Sequence, residues 1–209
     1  MGRHLPFFFG WRTAMVAEKE DSEDESLAID RPTLHTERLV LRRPNEADIP
    51  ALVALADNRH VAEMLARMPH PYGGAEARAF LAMAGASRAG AVYALTLAGG
   101  GTFIGCAGLN ATDRGLELGY WIGEPHWKQG YATEAAHALV DLGFHATGVN
   151  VLHASCRVIN PASRRVIHKC GFQYAGQGMM NSLVAGQVPI ERYRLDRKTW
   201  ASLRNWALS

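Results

Sequence analysis

The stretch from Leu116 to Val158 limits the folds open to this chain more than any other part of it. Leu116 to Ile122 is a short run of strand formers. A loop of small and polar residues follows, and apolar residues then recur at helical spacing from Thr133 to about His145. Val151 to Val158 is β-rich again. Strand, helix, strand in that order predicts a parallel pair joined by a crossover helix, because a tight hairpin joins only antiparallel strands. A second unit is appended to the first. Asn160-Pro161 leads into a helix from Ala162 to Lys169, Gly171 stands where a C-cap would, and strands Phe172 to Ala175 and Ile190 to Leu195 close the pattern.

The half upstream is built differently. Leu39-Val40-Leu41 is a short strand closed by Pro44, and Asn45 or Glu46 opens a helix that runs to Ala56. A second helix is predicted over Val61 to Met68, stopping at Pro69, and a third from Ala75 to Ala86. Ala91 to Ala98 alternates as a strand, Gly99-Gly100-Gly101 turns it into Thr102 to Leu109, and a turn at Asp113-Arg114-Gly115 leads to Leu116. The fold class expected is therefore α/β (α+β): a mixed, mostly antiparallel sheet with a parallel pair at its centre and helices flanking it. No internal repeat is visible.

Composition narrows the function. Of 209 residues, 48% are hydrophobic and 20% charged, which supplies a normal core and excludes global disorder. No run of about 18 apolar residues occurs, so no transmembrane helix is expected. Residues 1–30 carry seven acids and three bases, net −4, which leaves +6 for residues 31–209. That excess suits a small polyanionic ligand and is too weak for a nucleic-acid face. The acidic run Glu18 to Glu25 repels itself, so 1–30 reads as a disordered extension and 31–209 as a single domain. A signal peptide is the competing reading of the start, but Phe7-Phe8-Phe9 is short, Arg12 interrupts it and no cleavage pattern follows. Cys106, Cys156 and Cys170 form no CxxC pair, which argues against a disulfide framework or zinc site and suits a reducing cytoplasm. No metal is expected.

Familiar chemical motifs are missing. There is no P-loop and no HExxH, and the Gly85 to Gly90 segment is one residue too long for GxSxG. What remains is Trp127-Lys128-Gln129-Gly130-Tyr131-Ala132-Thr133-Glu134, placed between a strand and a helix. Gly130 and Ala132 let backbone approach a ligand, Thr133 is placed to help cap the helix, and free N–H groups at a helix start attract an anion such as a pyrophosphate. Taken alone, an ordinary strand-to-helix turn explains it equally well.

Three motifs in order remove that ambiguity: Thr36-Glu37-Arg38-Leu39-Val40-Leu41-Arg42, then Leu116 to Ala135, then Asn160 to Phe172. Together, residues 33–200 resemble the GNAT acetyltransferase superfamily, and within it the ribosomal-protein-alanine N-acetyltransferase (Rim-type) branch. The resemblance implies acetyl-CoA as cosubstrate. It implies that the strand at 116–122 splays from its parallel neighbour, so that backbone groups of Tyr120, Trp121 and Ile122 pair with pantetheine. Backbone amides of Gln129, Gly130, Tyr131, Ala132 and Thr133 would hold the pyrophosphate, Asn160 would touch the pantetheine arm or a water, and Ser163 would face the thioester sulfur. Two positions depart from the family pattern. Trp127 stands where Gln or Arg is frequent, and Ile167 stands where many relatives carry a tyrosine acid, which leaves Ser163 or water to protonate the leaving thiolate.

Glu117 lies in the same strand. Acetylation needs a deprotonated amine, and a carboxylate in a cleft can remove that proton directly or through water; a solvated or arginine-paired strand glutamate is the plainer alternative. His70 falls in an acceptor-facing loop of that branch but fits surface polarity as well. The function expected is acetyl transfer to a primary amine, a protein N-terminus among the candidates, by direct attack in a ternary complex without a cysteine nucleophile. The alternatives are a small-molecule amine (antibiotic, polyamine, amino acid) as acceptor, or a non-catalytic acyl-CoA sensor. No nucleic-acid or membrane partner is expected, and a monomer and a homodimer are both open.

Overall fold

The computed structural model describes residues 27–30, 33–86 and 89–207. Its elements are β1 (Leu34–His35), β2 (Leu39–Arg42), α1 (Ile49–Ala56), α2 (Arg59–Ala62), α3 (Gly74–Ala86), β3 (Gly90–Leu97), β4 (Phe103–Thr112), β5 (Gly115–Ile122), α4 (Tyr131–Ala146), β6 (Val151–Arg157), α5 (Pro161–Lys169), β7 (Gln173–Ser182), β8 (Gly186–Asp196) and α6 (Arg197–Ala207). One sheet holds all eight strands in the order β1-β2-β3-β4-β5-β6-β8-β7. Every neighbouring pair is antiparallel except β5 and β6. This is the mixed sheet with a central parallel pair that the alternation of elements predicts.

Period-two patterning sends alternate strand residues to opposite faces. Leu116 and Leu118 of β5 and Leu152 and Ala154 of β6 point to one face, where Leu139, Val140 and Phe144 of α4 and Ile167 of α5 cover them. The other face buries Ala94 and Cys106, with Trp121 packed alongside, under Leu52 and Ala56 of α1 and Ala77 of α3. The start of α1 is tied to β2 by a bidentate pair: Arg42 Nη1 and Nη2 donate to Asp48 at 2.8 and 2.6 Å. Burial alone would raise the Asp48 carboxyl, but the Arg42 and Asn45 donors outweigh it and hold it below the usual carboxylate range.

Four expectations need correction. The helix predicted over 61–68 ends at Ala62. Carbonyls that would continue it are taken elsewhere: Arg157 donates to Glu63 O, Ser182 to Leu65 O and Leu183 N–H to Ala66 O. The last two strands are much longer than expected and form a polar hairpin, Gln173–Ser182 with Gly186–Asp196, and α6 follows it unannounced. The domain also begins before residue 31. Ile29 is buried in the main core with Leu27 packed against it, and Ala28 bridges to Ala89 and Gly90. Residues 1–26, which carry the rest of the expected extension, lie outside the described residues, as do Ser87 and Arg88. Finally, α4 starts at Tyr131 with Gly130 as its N-cap, so Thr133 lies inside the first turn and caps nothing. Among the described residues no helix is long and apolar enough to cross a membrane.

Candidate active site

The parallel pair holds its register over only Glu117↔His153 and Leu118↔Ala154, although β5 continues to Ile122 and β6 to Arg157. Past Leu118 the two strands part. Backbone groups that line such a gap have no ladder partner and are available to an extended ligand. Tyr120 and Trp121 stand on the β5 bank as expected. Ile122 does too, but its carbonyl already accepts the Trp127 indole N–H at 2.6 Å. That bond gives Trp127 a role: it ties the following loop back to the end of β5.

The gap runs toward the N-terminus of α4. Lys128 (φ 61°) and Gly130 (φ 85°) are both left-handed there, a conformation open to glycine and costly for a side chain. Consecutive N–H groups in such a turn converge into an anion cradle, and the helix dipole adds to it. Tyr131 and Ala132, in the first helical turn, have no intrahelical acceptor for their N–H groups. The Thr133 N–H does have one, bonding Gly130 O at 3.0 Å, so Thr133 contributes less than the resemblance implied.

A clamp that the sequence did not announce orients this loop. Arg38 Nη1 donates to Gln129 O at 2.9 Å. A trans peptide is planar, so drawing that carbonyl one way points the Gly130 N–H the other. Arg38 is itself held by Glu134 through its backbone N–H, its Nε and its Nη2, and it lies over the Tyr131 ring. Thr36 Oγ1 donates to the same carboxylate at 2.6 Å. Burial would raise the Glu134 carboxyl, yet the Thr36 and Arg38 donors keep it below its ordinary value. The acidic residue beside the helix start is thus neutralised by the arginine that shapes the loop.

Asn160 and Ser163 do come together, in a different manner from that expected. Asn160 Oδ1 accepts the Ser163 N–H at 3.0 Å and caps α5. Ser163 Oγ lies 2.9 Å from the Tyr120 hydroxyl. Burial pushes the Tyr120 phenol above its ordinary pKa, so it keeps its proton. The resemblance implies a role only for the backbone of Tyr120, and Ile167 stands at the usual place of a tyrosine acid. The phenol reaches Ser163 from a neighbouring strand instead of from its own helix. All three cysteines are buried. Desolvation pushes the Cys156 thiol up to about 11 and the Cys170 thiol up to about 12, which makes poor nucleophiles of them.

Glu117 points to the other face. Its carboxylate accepts the Ser155 hydroxyl from β6 and the Arg114 guanidinium at 3.1 Å. It therefore sits in a fixed orientation at the point where the strands part. Trp121, on the same face of β5, packs with Phe103. His70 lies against Asp57, Nδ1 to Oδ1 3.1 Å, and Asp57 also accepts the Tyr72 N–H, so His70 belongs to the bracing of its own loop.

With this geometry established, comparison with known proteins identifies the class. Residues 38–173 match the family model of the acetyltransferase (GNAT) domain. An uncharacterized N-acetyltransferase, YoaA, of Bacillus subtilis (strain 168) is 30% identical over 150 residues, which is 69% of this chain and 85% of that protein. Among solved structures, a GNAT-family acetyltransferase from Bacillus anthracis superposes with a TM-score of 0.71 at 19% identity, covering 80% of this chain and 99% of its own. A chain from Vibrio cholerae described as a candidate ribosomal-protein-serine acetyltransferase gives 0.66 at 20% identity, over 78% of this chain and 97% of its own. The chain belongs to the GNAT family of acetyltransferases. It is an acyltransferase, and the family it belongs to uses acetyl-CoA as cosubstrate.

Proposed function

We propose that the protein transfers the acetyl group of acetyl-CoA to a primary amine by direct attack in a ternary complex. The observation that carries this reading is the placing of acid and base groups on opposite faces of the gap. Glu117 stands on the α1–α3 face, and the Tyr120–Ser163 hydroxyl pair on the α4–α5 face. In that arrangement Glu117 removes a proton from the amine, directly or through water, and the amine nitrogen attacks the thioester carbon. The C–S bond then breaks, and Ser163, backed by Tyr120, returns a proton to sulfur. The N–H groups of Gln129, Gly130, Tyr131 and Ala132 hold the pyrophosphate, and the β5 edge at Tyr120 and Trp121 carries the pantetheine.

Buried, weakly nucleophilic thiols favour this single-step route over an acetyl-cysteine intermediate. The site is built for catalysis rather than for passive acyl-CoA sensing, since sensing would not need an oriented carboxylate across the gap. A protein N-terminus stays among the acceptors, supported by the resemblance of residues 36–42 to the Rim-type opening strand, and three buried free thiols fit a reducing, cytoplasmic setting. The test is calorimetry with acetyl-CoA together with a thiol-release assay over N-terminal peptides and small amines. Tight binding with amine-dependent thiol release is expected. Binding without release to any amine would leave a sensor.

A further inference from the structure

Among the described residues, the acceptor face holds two arginines with no ion-pair partner. Arg157 stands on the β6 bank of the gap, two residues beyond Ser155, and Arg192 of β8 is the register partner of Ser155. Opposite residues of an antiparallel pair share a face, as do residues two apart. Arg157 and Arg192 therefore flank Ser155 on the face to which Glu117 points. By strand geometry their Cα atoms lie about 5–7 Å from that of Ser155.

Both arginines are half-buried. Their Nε atoms are buried and without a hydrogen-bond partner among the described residues. Arg157 spends one Nη on Glu63 O at 2.6 Å. The Arg192 guanidinium lies against Gly178 of β7, where an added Cβ would come within 2.6 Å of its Cζ. The other arginines near the gap are satisfied: Arg38 by Glu134, Arg114 by Glu117, Arg164 by Glu191. Among the described residues neither Arg157 nor Arg192 is ion-paired. A partly desolvated guanidinium without an acceptor costs stability, and a buried polar atom left open in a cleft marks the place of a missing partner. The fork of a guanidinium matches a carboxylate bidentately.

We infer that Arg157 and Arg192 form a carboxylate subsite, so that the acceptor of the proposed transfer is an amine with a carboxylate a few bonds away. The inference rests on the acetyltransferase reading above and narrows its acceptor. It disfavours polyamines and aminoglycoside-like polycations, which two unpaired arginines would repel. One chemistry has two sources here: a free amino acid, or an acidic side chain beside a peptide N-terminus.

The experiment measures amine-dependent thiol release by the full-length protein with matched pairs. Glycine, β-alanine, γ-aminobutyrate and L-glutamate are each run against the carboxamide, and Ser-Glu-Ala-amide against Ser-Gln-Ala-amide, with spermidine as the polycation. We expect at least one acid to exceed its amide by tenfold or more in kcat/KM. The amino acids and the peptide pair tell the two sources apart. Arg192→Gln and Arg157→Gln should erase that preference by raising KM for the acid, with KM for acetyl-CoA unchanged. Arg192→Lys should restore part of it, and Gly178→Ala, which displaces the guanidinium without removing charge, should weaken it. Melting temperature gives a separate readout: Arg192→Met should leave it level or raise it, and a fall would mean a structural role instead. Equal use of acids and amides, preference for spermidine, or a preference that survives both Gln variants overturns the subsite. If acetyl-CoA itself fails to bind, the catalytic reading falls and the subsite with it. If it binds and amides or spermidine are acetylated as well as the acids or better, only the subsite is lost.

Discussion

The two faces of the parted strands handle charge in opposite ways. On the α4–α5 face every ionised side chain discussed is matched: Arg38 with Glu134 and Arg164 with Glu191. In the proposed function, backbone N–H groups meet the ligand there. On the α1–α3 face Glu117 is held, while among the described residues Arg157 and Arg192 have no ion-pair partner and their Nε atoms no acceptor. A ligand with fixed chemistry is best met by backbone donors, whose geometry does not drift with side-chain rotamers. A face that selects its substrate must keep side-chain charge in reserve. That contrast predicts where substitutions should be felt.

The largest effect should come from Glu117→Gln, which keeps size and hydrogen bonding but cannot take a proton. Loss of a general base lowers kcat by about 10²–10⁴-fold, while calorimetry should show unchanged acetyl-CoA affinity. A similar loss of affinity would place Glu117 on the donor side and erase the contrast.

Gly130→Val should act on the opposite face. A β-branched side chain at φ 85° is strained, and its Cβ would press on Arg38 Nη2 at 3.3 Å. Forcing a non-glycine residue into the left-handed region costs about 1–2 kcal/mol, and a free loop that relaxes out of that turn pays this cost again on binding, so acetyl-CoA affinity should fall by about five- to thirtyfold. Circular dichroism should still report a folded chain.

Arg38→Gln releases the Gln129 carbonyl without touching a phosphate donor. Solvent weakens this charge-assisted hydrogen bond, since the Arg38 side chain is 45% exposed, so a several-fold rise in acetyl-CoA Kd is expected. The same clamp has a pH signature. The Glu134 carboxyl is depressed in the folded protein, so its stabilisation is present above the ordinary glutamate pKa and lost as pH falls through the depressed value. Melting temperature should decline on acidification in that window, and Glu134→Gln should flatten the decline.

Ser163→Ala and Tyr120→Phe should have the smallest effects, since water can replace a hydroxyl. A neutral hydrogen bond is worth about 1 kcal/mol, so kcat should fall a few-fold in each. If the two hydroxyls act as one relay, the double variant should cost little more than either single one.

Much of this arrangement could be read along the chain. Asn160 before Pro161 signals a helix start, and Gly171 before Phe172 signals its end. Both occur, with Gly171 N–H bonded to His168 O and Phe172 N–H to Ile167 O. The hairpin at 99–101 and the parallel pair likewise follow from turn residues and element order. The full length of the β7–β8 hairpin escaped because most of β7 is polar and exposed and lacks the alternation that marks a half-buried strand, while β8 buries Val188 ahead of the expected stretch from Ile190. The helix predicted over 61–68 failed because its carbonyls were claimed by residues more than ninety positions away.

The sequence by itself determined the element order and the place of the strand-to-helix loop at 127–134, because these depend on local backbone preference and on short motifs. Only the tertiary structure decided what each group touches. Arg38 meets Glu134 across 96 residues, Tyr120 meets Ser163 across 43, and Ser155 meets Glu117 across 38. Strand periodicity tells which face a side chain takes, but its partner there is set by the order and register in which distant strands are laid side by side. The Nε groups of Arg157 and Arg192 are the same lesson in reverse, since their lack of an acceptor among the described residues shows only in the packed structure.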